Sequence, residues 1–185
     1  MKRFISIIAA AAIMLLATPV YAENEAENTV KLDTDAKSCI LMEESSGQVL
    51  YEENADEQLP IASVTKIMTM LLIMEQIESG ALSYDTMIPV SENAMSYGGS
   101  TMFLEAGEQL SVNDMLKGIA VASANDGCVA MAEYIAGSET AFVDMMNKKA
   151  QELGMTNTHF MNTNGLDEEN HYSSARDVAI MSKAL

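Results

Sequence analysis

From Ile67 to Met74 the chain reads IMTMLLIM, a run in which only Thr69 is not strongly apolar, and the residue that opens it is a lysine. Apolar residues on all sides of a helix mean that it is buried on most of its faces. Such a helix cannot float on a surface, so the chain must fold around it. Lysine is almost never buried without a partner. Three residues before Lys66 stands Ser63, and residues three apart in a helix share a face. A hydroxyl and an amine therefore sit together at the start of a buried helix.

A serine hydroxyl is a poor nucleophile at neutral pH and needs a base within hydrogen-bond reach. Lysine serves as that base once its pKa falls from about 10.4 towards neutrality, which burial and the positive potential of a helix N-terminus both favour. The first turn also leaves backbone N–H groups free, so the Ser63 amide can face a developing oxyanion. The plainer reading makes Ser63 an N-cap and Lys66 a surface lysine. A second polar break argues against it. In GIAVASANDGCVAMAEYIAG, Ser123-Ala124-Asn125 interrupts two apolar helices, where unsatisfied polar groups would cost about 1–3 kcal/mol each. Either Ser123 or Asn125 could cap the following helix and still face a cleft.

The first residues, MKRFISIIAAAAIMLLATPVYA, place Lys2 and Arg3 before an apolar run and end in small residues. This is the pattern of a secretory signal peptide (1–22) cleaved after Ala22, with an apolar run short of the roughly 20 residues a transmembrane helix needs. An extracytoplasmic location follows. Residues 23–33, ENEAENTVKLD, read as a flexible acidic segment. The formal charge of -17 would repel nucleic acid, so no such partner is expected. Cys39 and Cys128 lie in apolar surroundings, as buried thiols or as a disulfide that export permits. They match no zinc spacing, and His159 and His171 form no H-E-x-x-H pattern, so neither metal nor cofactor is expected.

Along residues 34–185, CILMEE and QVLYEEN read as a hairpin around Ser45-Ser46-Gly47. A helix runs from Ser63 to about Ser79, followed by a loop-rich stretch containing Gly98-Gly99-Ser100. Ser111-x-x-Asp114 opens a helix over about Val112 to Val121. Further helices are expected from Asp126 to Ile135, from Ser138 to about Leu153, and from Ser174-x-x-Asp177 to Leu185. A lone hairpin is marginal. Residues 34–185 are therefore expected to be the incomplete front portion of a longer domain, with faces of the Ile67–Met74 and Val129–Ile135 helices left uncovered.

The pairing of S-x-x-K with a later S-x-N matches two of the three motifs of β-lactamases and penicillin-binding proteins. The wording is closer still in SGQVLYEENADEQLPIASVTKIMTMLL, in GGSTMFLEAGEQLSVNDMLKGIAVASANDGCVAMAEYIAG and in ELGMTNTHFMNTNGLDEENHYSSARDVAIMSKAL. Together these resemble the serine-type D-alanyl-D-alanine carboxypeptidases, the low-molecular-mass penicillin-binding proteins, over about residues 36–185.

The resemblance implies an α/β (α+β) fold of the penicillin-binding-protein/β-lactamase-like transpeptidase kind, an antiparallel sheet flanked by helices plus a helical subdomain. It implies Ser63 as the acylated nucleophile, Lys66 as its base and Ser123 as the relay towards the leaving nitrogen. Asn125 would hold the substrate amide and help orient Lys66. The implied substrate is the peptidoglycan pentapeptide ending in D-Ala-D-Ala, with β-lactams as covalent inhibitors and peripheral membrane attachment through a C-terminal segment beyond this chain. The third motif, K-T-G, does not occur in these residues; Lys148-Lys149-Ala150 and Lys183-Ala184-Leu185 do not replace it. Three other readings share the motifs: a D,D-endopeptidase, a β-lactamase, and a binding fragment or pseudoenzyme without turnover. Against the β-lactamase, no E-x-x-L-N-like run follows Ser123, and Glu133 sits in an apolar helix.

Overall fold

The computed structural model describes Leu32 and residues 34–185. The expected leader and, Leu32 apart, the acidic segment lie outside the described residues. Cys39–Met42 (β1) and Val49–Glu53 (β2) form the expected antiparallel hairpin, with Cys39 opposite Glu53 and Leu41 opposite Tyr51. Both cysteines are free, Cys39 on β1 and Cys128 buried.

A 3-10 turn, Ala62–Thr65, leads into α1, Lys66–Glu78. The stretch read as loop holds a second antiparallel pair, Met87–Pro89 (β3) with Gln109–Ser111 (β4), and a short helix between them, Glu92–Met95 (α2). Strands of three residues are too short for alternation to register, which is why this sheet is silent in the sequence. Four helices follow: Val112–Ala122 (α3), Asn125–Ala136 (α4), Glu139–Glu152 (α5) and Ala175–Ala184 (α6). Ser111, Ser138 and Ser174 each accept a hydrogen bond from the backbone N–H three residues on, which satisfies one orphan donor at each helix start.

α1 and α4 are the central elements. Ile73 of α1 packs with Ile88, Met115, Ile119, Val129 and Met131 in one cluster. Met68, Leu71 and Leu72 pack in a second, with Phe142, Met146, Phe160 and Met181. One helix feeding two cores has to be apolar on nearly every side. Burying each of these four α1 side chains is worth about 1.5–3 kcal/mol. That outweighs the missing side-chain N-cap of α1, which costs about 1 kcal/mol. The expectation that α1 and α4 leave apolar faces uncovered is therefore corrected for most of their apolar residues, with Tyr134 exposed and Ile67, Met70, Met74 and Ile135 half-buried. Met68, Leu71, Leu72 and Ile73 are buried, as are Val129 to Ala132, because the two helices cover each other and are covered by α3, α5 and α6. The hairpin packs through β1 against α6, and Arg176 of α6 pairs with Glu52 and Asp56 at 2.7 Å each.

Candidate active site

Ser63 lies in the 3-10 turn rather than in the first α-helical turn, and α1 begins at Lys66. The Lys66 N–H donates to the Ser63 carbonyl. In a 3-10 turn residues i and i+3 eclipse, so the shift in helix start tightens the pairing of the two side chains. Lys66 Nζ is hydrogen-bonded to Ser63 Oγ at 3.1 Å and donates to the Asn164 carbonyl at 2.6 Å.

Lys66 is 3 % exposed, and this burial pulls its pKa down. Among the described residues no carboxylate pairs with it. The neighbouring Cys128 thiol is pushed up to about 12 by burial, so it stays neutral and supplies no counter-charge. Burial without a counter-charge shifts such a lysine towards its neutral form.

Ser123 ends α3 in the left-handed region at φ 56, and its Oγ donates to Ser63 Oγ at 3.0 Å. Ala62 is left-handed too, at φ 45. Such backbone costs a non-glycine residue about 1–2 kcal/mol, and strain of this kind concentrates at functional sites. Neither Ser123 nor Asn125 caps α4; the N-cap position is Ala124, with no side-chain bond.

Asn125 donates its backbone N–H to the Ser100 carbonyl and its Nδ2 to the Gly98 carbonyl, both at 2.8 Å. Asp126, only 1 % exposed, accepts from the Met102 and Leu104 amides at 3.1 Å. Asn125 and Asp126 are thus buried and hydrogen-bonded, while Ser123 is half-buried. The buried pair fastens the 98–104 loop to the start of α4.

Lys66 Nζ is bonded to the carbonyl of Asn164, a residue that sequence reading missed, and Asn125 makes no hydrogen bond to Lys66 among the described residues. Asn162 Oδ1 accepts from the Asn164 and Gly165 amides at 3.3 and 2.7 Å, folding this loop on itself. The Thr163 carbonyl accepts from Thr69 Oγ1 of α1 at 2.6 Å. Thr163 in turn donates through its N–H and Oγ1 to Glu139, at 3.1 and 2.8 Å. The Tyr97 hydroxyl donates to the same carboxylate, and burial with this partner raises the phenol's pKa. Asn164-Gly165 is a turn signal, but nothing local says which carbonyl will face Lys66.

Lys148 and Lys149 lie on α5, with Lys149 paired to Glu75 and Glu152 at 2.9 and 2.8 Å, and Lys183 lies on α6. Among the described residues no three His, Cys, Asp or Glu side chains group as a metal site.

Residues 22–185 match a family model described as D-alanyl-D-alanine carboxypeptidase. Across its full length the chain is 52 % identical to the D-alanyl-D-alanine carboxypeptidase DacF of Bacillus subtilis (strain 168), of which it covers 48 %. The crystal structure of the D-alanyl-D-alanine carboxypeptidase DacD from Francisella tularensis superposes with a TM-score of 0.82 at 42 % identity, over 84 % of this chain and 38 % of that one. Penicillin binding protein 5 from Haemophilus influenzae gives 0.80 at 38 % identity, over 83 % and 45 %. The chain spans about half the length of the curated relative it matches.

Proposed function

The chain belongs to the D-alanyl-D-alanine carboxypeptidase family, and from that premise we propose that its protein removes the terminal D-alanine from peptidoglycan pentapeptide stems through an acyl-enzyme on Ser63. The observation that carries this reading is Ser63 Oγ lying 3.1 Å from a buried lysine that has no carboxylate partner among the described residues, and 3.0 Å from a second hydroxyl. The neutral amine of Lys66 takes the Ser63 proton as Oγ attacks the carbonyl between the last two D-alanines. The Asn164 carbonyl keeps that amine aimed and stabilises it once charged.

When the tetrahedral adduct collapses, the leaving nitrogen needs a proton. Ser123, whose hydroxyl lies 3.0 Å from Ser63 Oγ, is the proposed donor: it gives its own proton to that nitrogen and is reprotonated by the Lys66 ammonium. Water then hydrolyses the ester and returns Ser63. A β-lactam undergoes the same attack, but its leaving nitrogen stays tethered to the acyl group, so the ester persists as a covalent adduct. Asn125 is the proposed holder of the substrate amide. The location is the extracytoplasmic face of the cell envelope, after removal of residues 1–22. The K-T-G strand and any membrane attachment would come from the rest of the protein, residues 34–185 supplying the N-terminal part of its catalytic domain.

The test uses the full-length protein with a pentapeptide stem and with cross-linked stems. Release of D-alanine from the pentapeptide, lost in Ser63→Ala, is the expected result. Cleavage of cross-links without D-alanine release would instead make the protein an endopeptidase.

A further inference from the structure

Among the described residues His171 makes no hydrogen bond to Ser63 or Lys66, yet it joins the two pieces of chain that hold them. The residue is 6 % exposed, and its ring packs edge-on against Phe160, centroids 5.9 Å apart. Nδ1 accepts a hydrogen bond from the Met161 N–H at 3.0 Å. A backbone N–H only donates, so Nδ1 carries the lone pair and the proton sits on Nε2. Nε2–H therefore donates to Thr65 Oγ1, 2.7 Å away. Thr65 is fully buried and stands between Ser63 and Lys66 in the turn. Met161 leads into the loop whose Asn164 carbonyl holds Lys66.

We propose that His171 is a positioning residue for acylation of Ser63 that works only as the neutral Nε2–H tautomer, clamping the nucleophile's turn to the segment that anchors the base. It rests on the reading of Ser63 and Lys66 given above. A proton on Nδ1 would set two donors against each other, so the ring or the 161–164 segment would have to move. Burial disfavours the charged ring, Glu168 favours it and His159 disfavours it, with the ring's pKa held below the ordinary histidine value. Asp167 and Glu169 line the same cavity of about 380 Å³ beside the ring, and Lys66 adjoins Thr65 in the chain. The clamp is thus closed at neutral pH and opens in acid.

The experiment follows acylation of the full-length protein by a fluorescent penicillin between about pH 4 and about pH 8, alongside NMR of the His171 ring and the Met161 amide. The acylation rate is expected to fall as the ring protonates, with the Met161 amide shifting at the same midpoint. His171→Phe keeps the ring's bulk and loses both hydrogen bonds, so its acylation rate should drop roughly tenfold. His171→Gln retains a donor for Thr65 and does not titrate; it should recover part of the rate and lose the part of the acid limb that follows the Met161 amide, keeping the part that belongs to Lys66. Wild-type rates in His171→Phe, or a pH profile of His171→Gln that keeps the step sharing the midpoint of the wild-type Met161 amide, would overturn the proposal; the Lys66 limb is common to both proteins. Absence of any penicillin adduct would defeat the reading of Ser63 instead. The NMR arm would then decide the clamp alone, and a Met161 amide indifferent to the His171 titration would sink it.

Discussion

Lys66→Arg is expected to lose acylation by penicillin, by about 10²–10⁴-fold, while the protein still folds. Arginine keeps the positive charge but does not give up its proton in a protein. In the native site the lysine is buried, faces the Asn164 carbonyl and has no carboxylate partner among the described residues, so burial shifts it towards its neutral form. The sign of the pH dependence follows. Acylation should rise with pH as Lys66 deprotonates, at a midpoint below the 10.5 of a free lysine. Rates of adduct formation across pH, with thermal unfolding as a check on folding, measure both. A Lys66→Arg variant that acylates at the wild-type rate would show that the amine contributes only charge.

Gly165→Ala should damage the site from outside it. Gly165 adopts φ +89, and a Cβ there would stand 1.9 Å from the Ala62 carbonyl oxygen and 3.0 Å from the Ser63 nitrogen. Backbone cannot swing aside as a flexible side chain can, so the turn bearing Ser63 has to shift. Misplacement of a nucleophile by about 1 Å costs roughly 10²-fold in rate. Gly80→Ala is the matched control, because Gly80 has φ +79 but nothing within 4 Å of its added Cβ. It should show only the left-handed backbone cost of about 1–2 kcal/mol and keep its acylation rate. Equal acylation by the two variants would mean that the approach of Gly165 does not hold the nucleophile in place.

What the sequence made legible was local. The caps at Ser111 and Ser174 could be read because N-cap chemistry spans one helical turn, and the Ser63–Lys66 pairing because a three-residue spacing survives in either helix type. The burial of α1 was written in its uniform apolarity. The parts that stayed hidden join distant residues. Asn164 meets Lys66 across 98 positions and His171 meets Thr65 across 106, and neither asparagine nor histidine announces which atom it will present. Asn125 illustrates the same limit. Its place in a buried polar break was readable, but its bond to the Gly98 carbonyl depends on a loop whose path is set by Asp126. The β3–β4 pair was silent for another reason, since its register is fixed by neighbouring elements and not by alternation within three residues.

Peptide mapping of the full-length protein after incubation with a labelled penicillin locates the acylated atom. The label is expected on the peptide containing Ser63, and Ser63→Ala should carry none. A label on another residue, or one that survives Ser63→Ala, would contradict the assignment of Ser63 as the nucleophile that Lys66 activates.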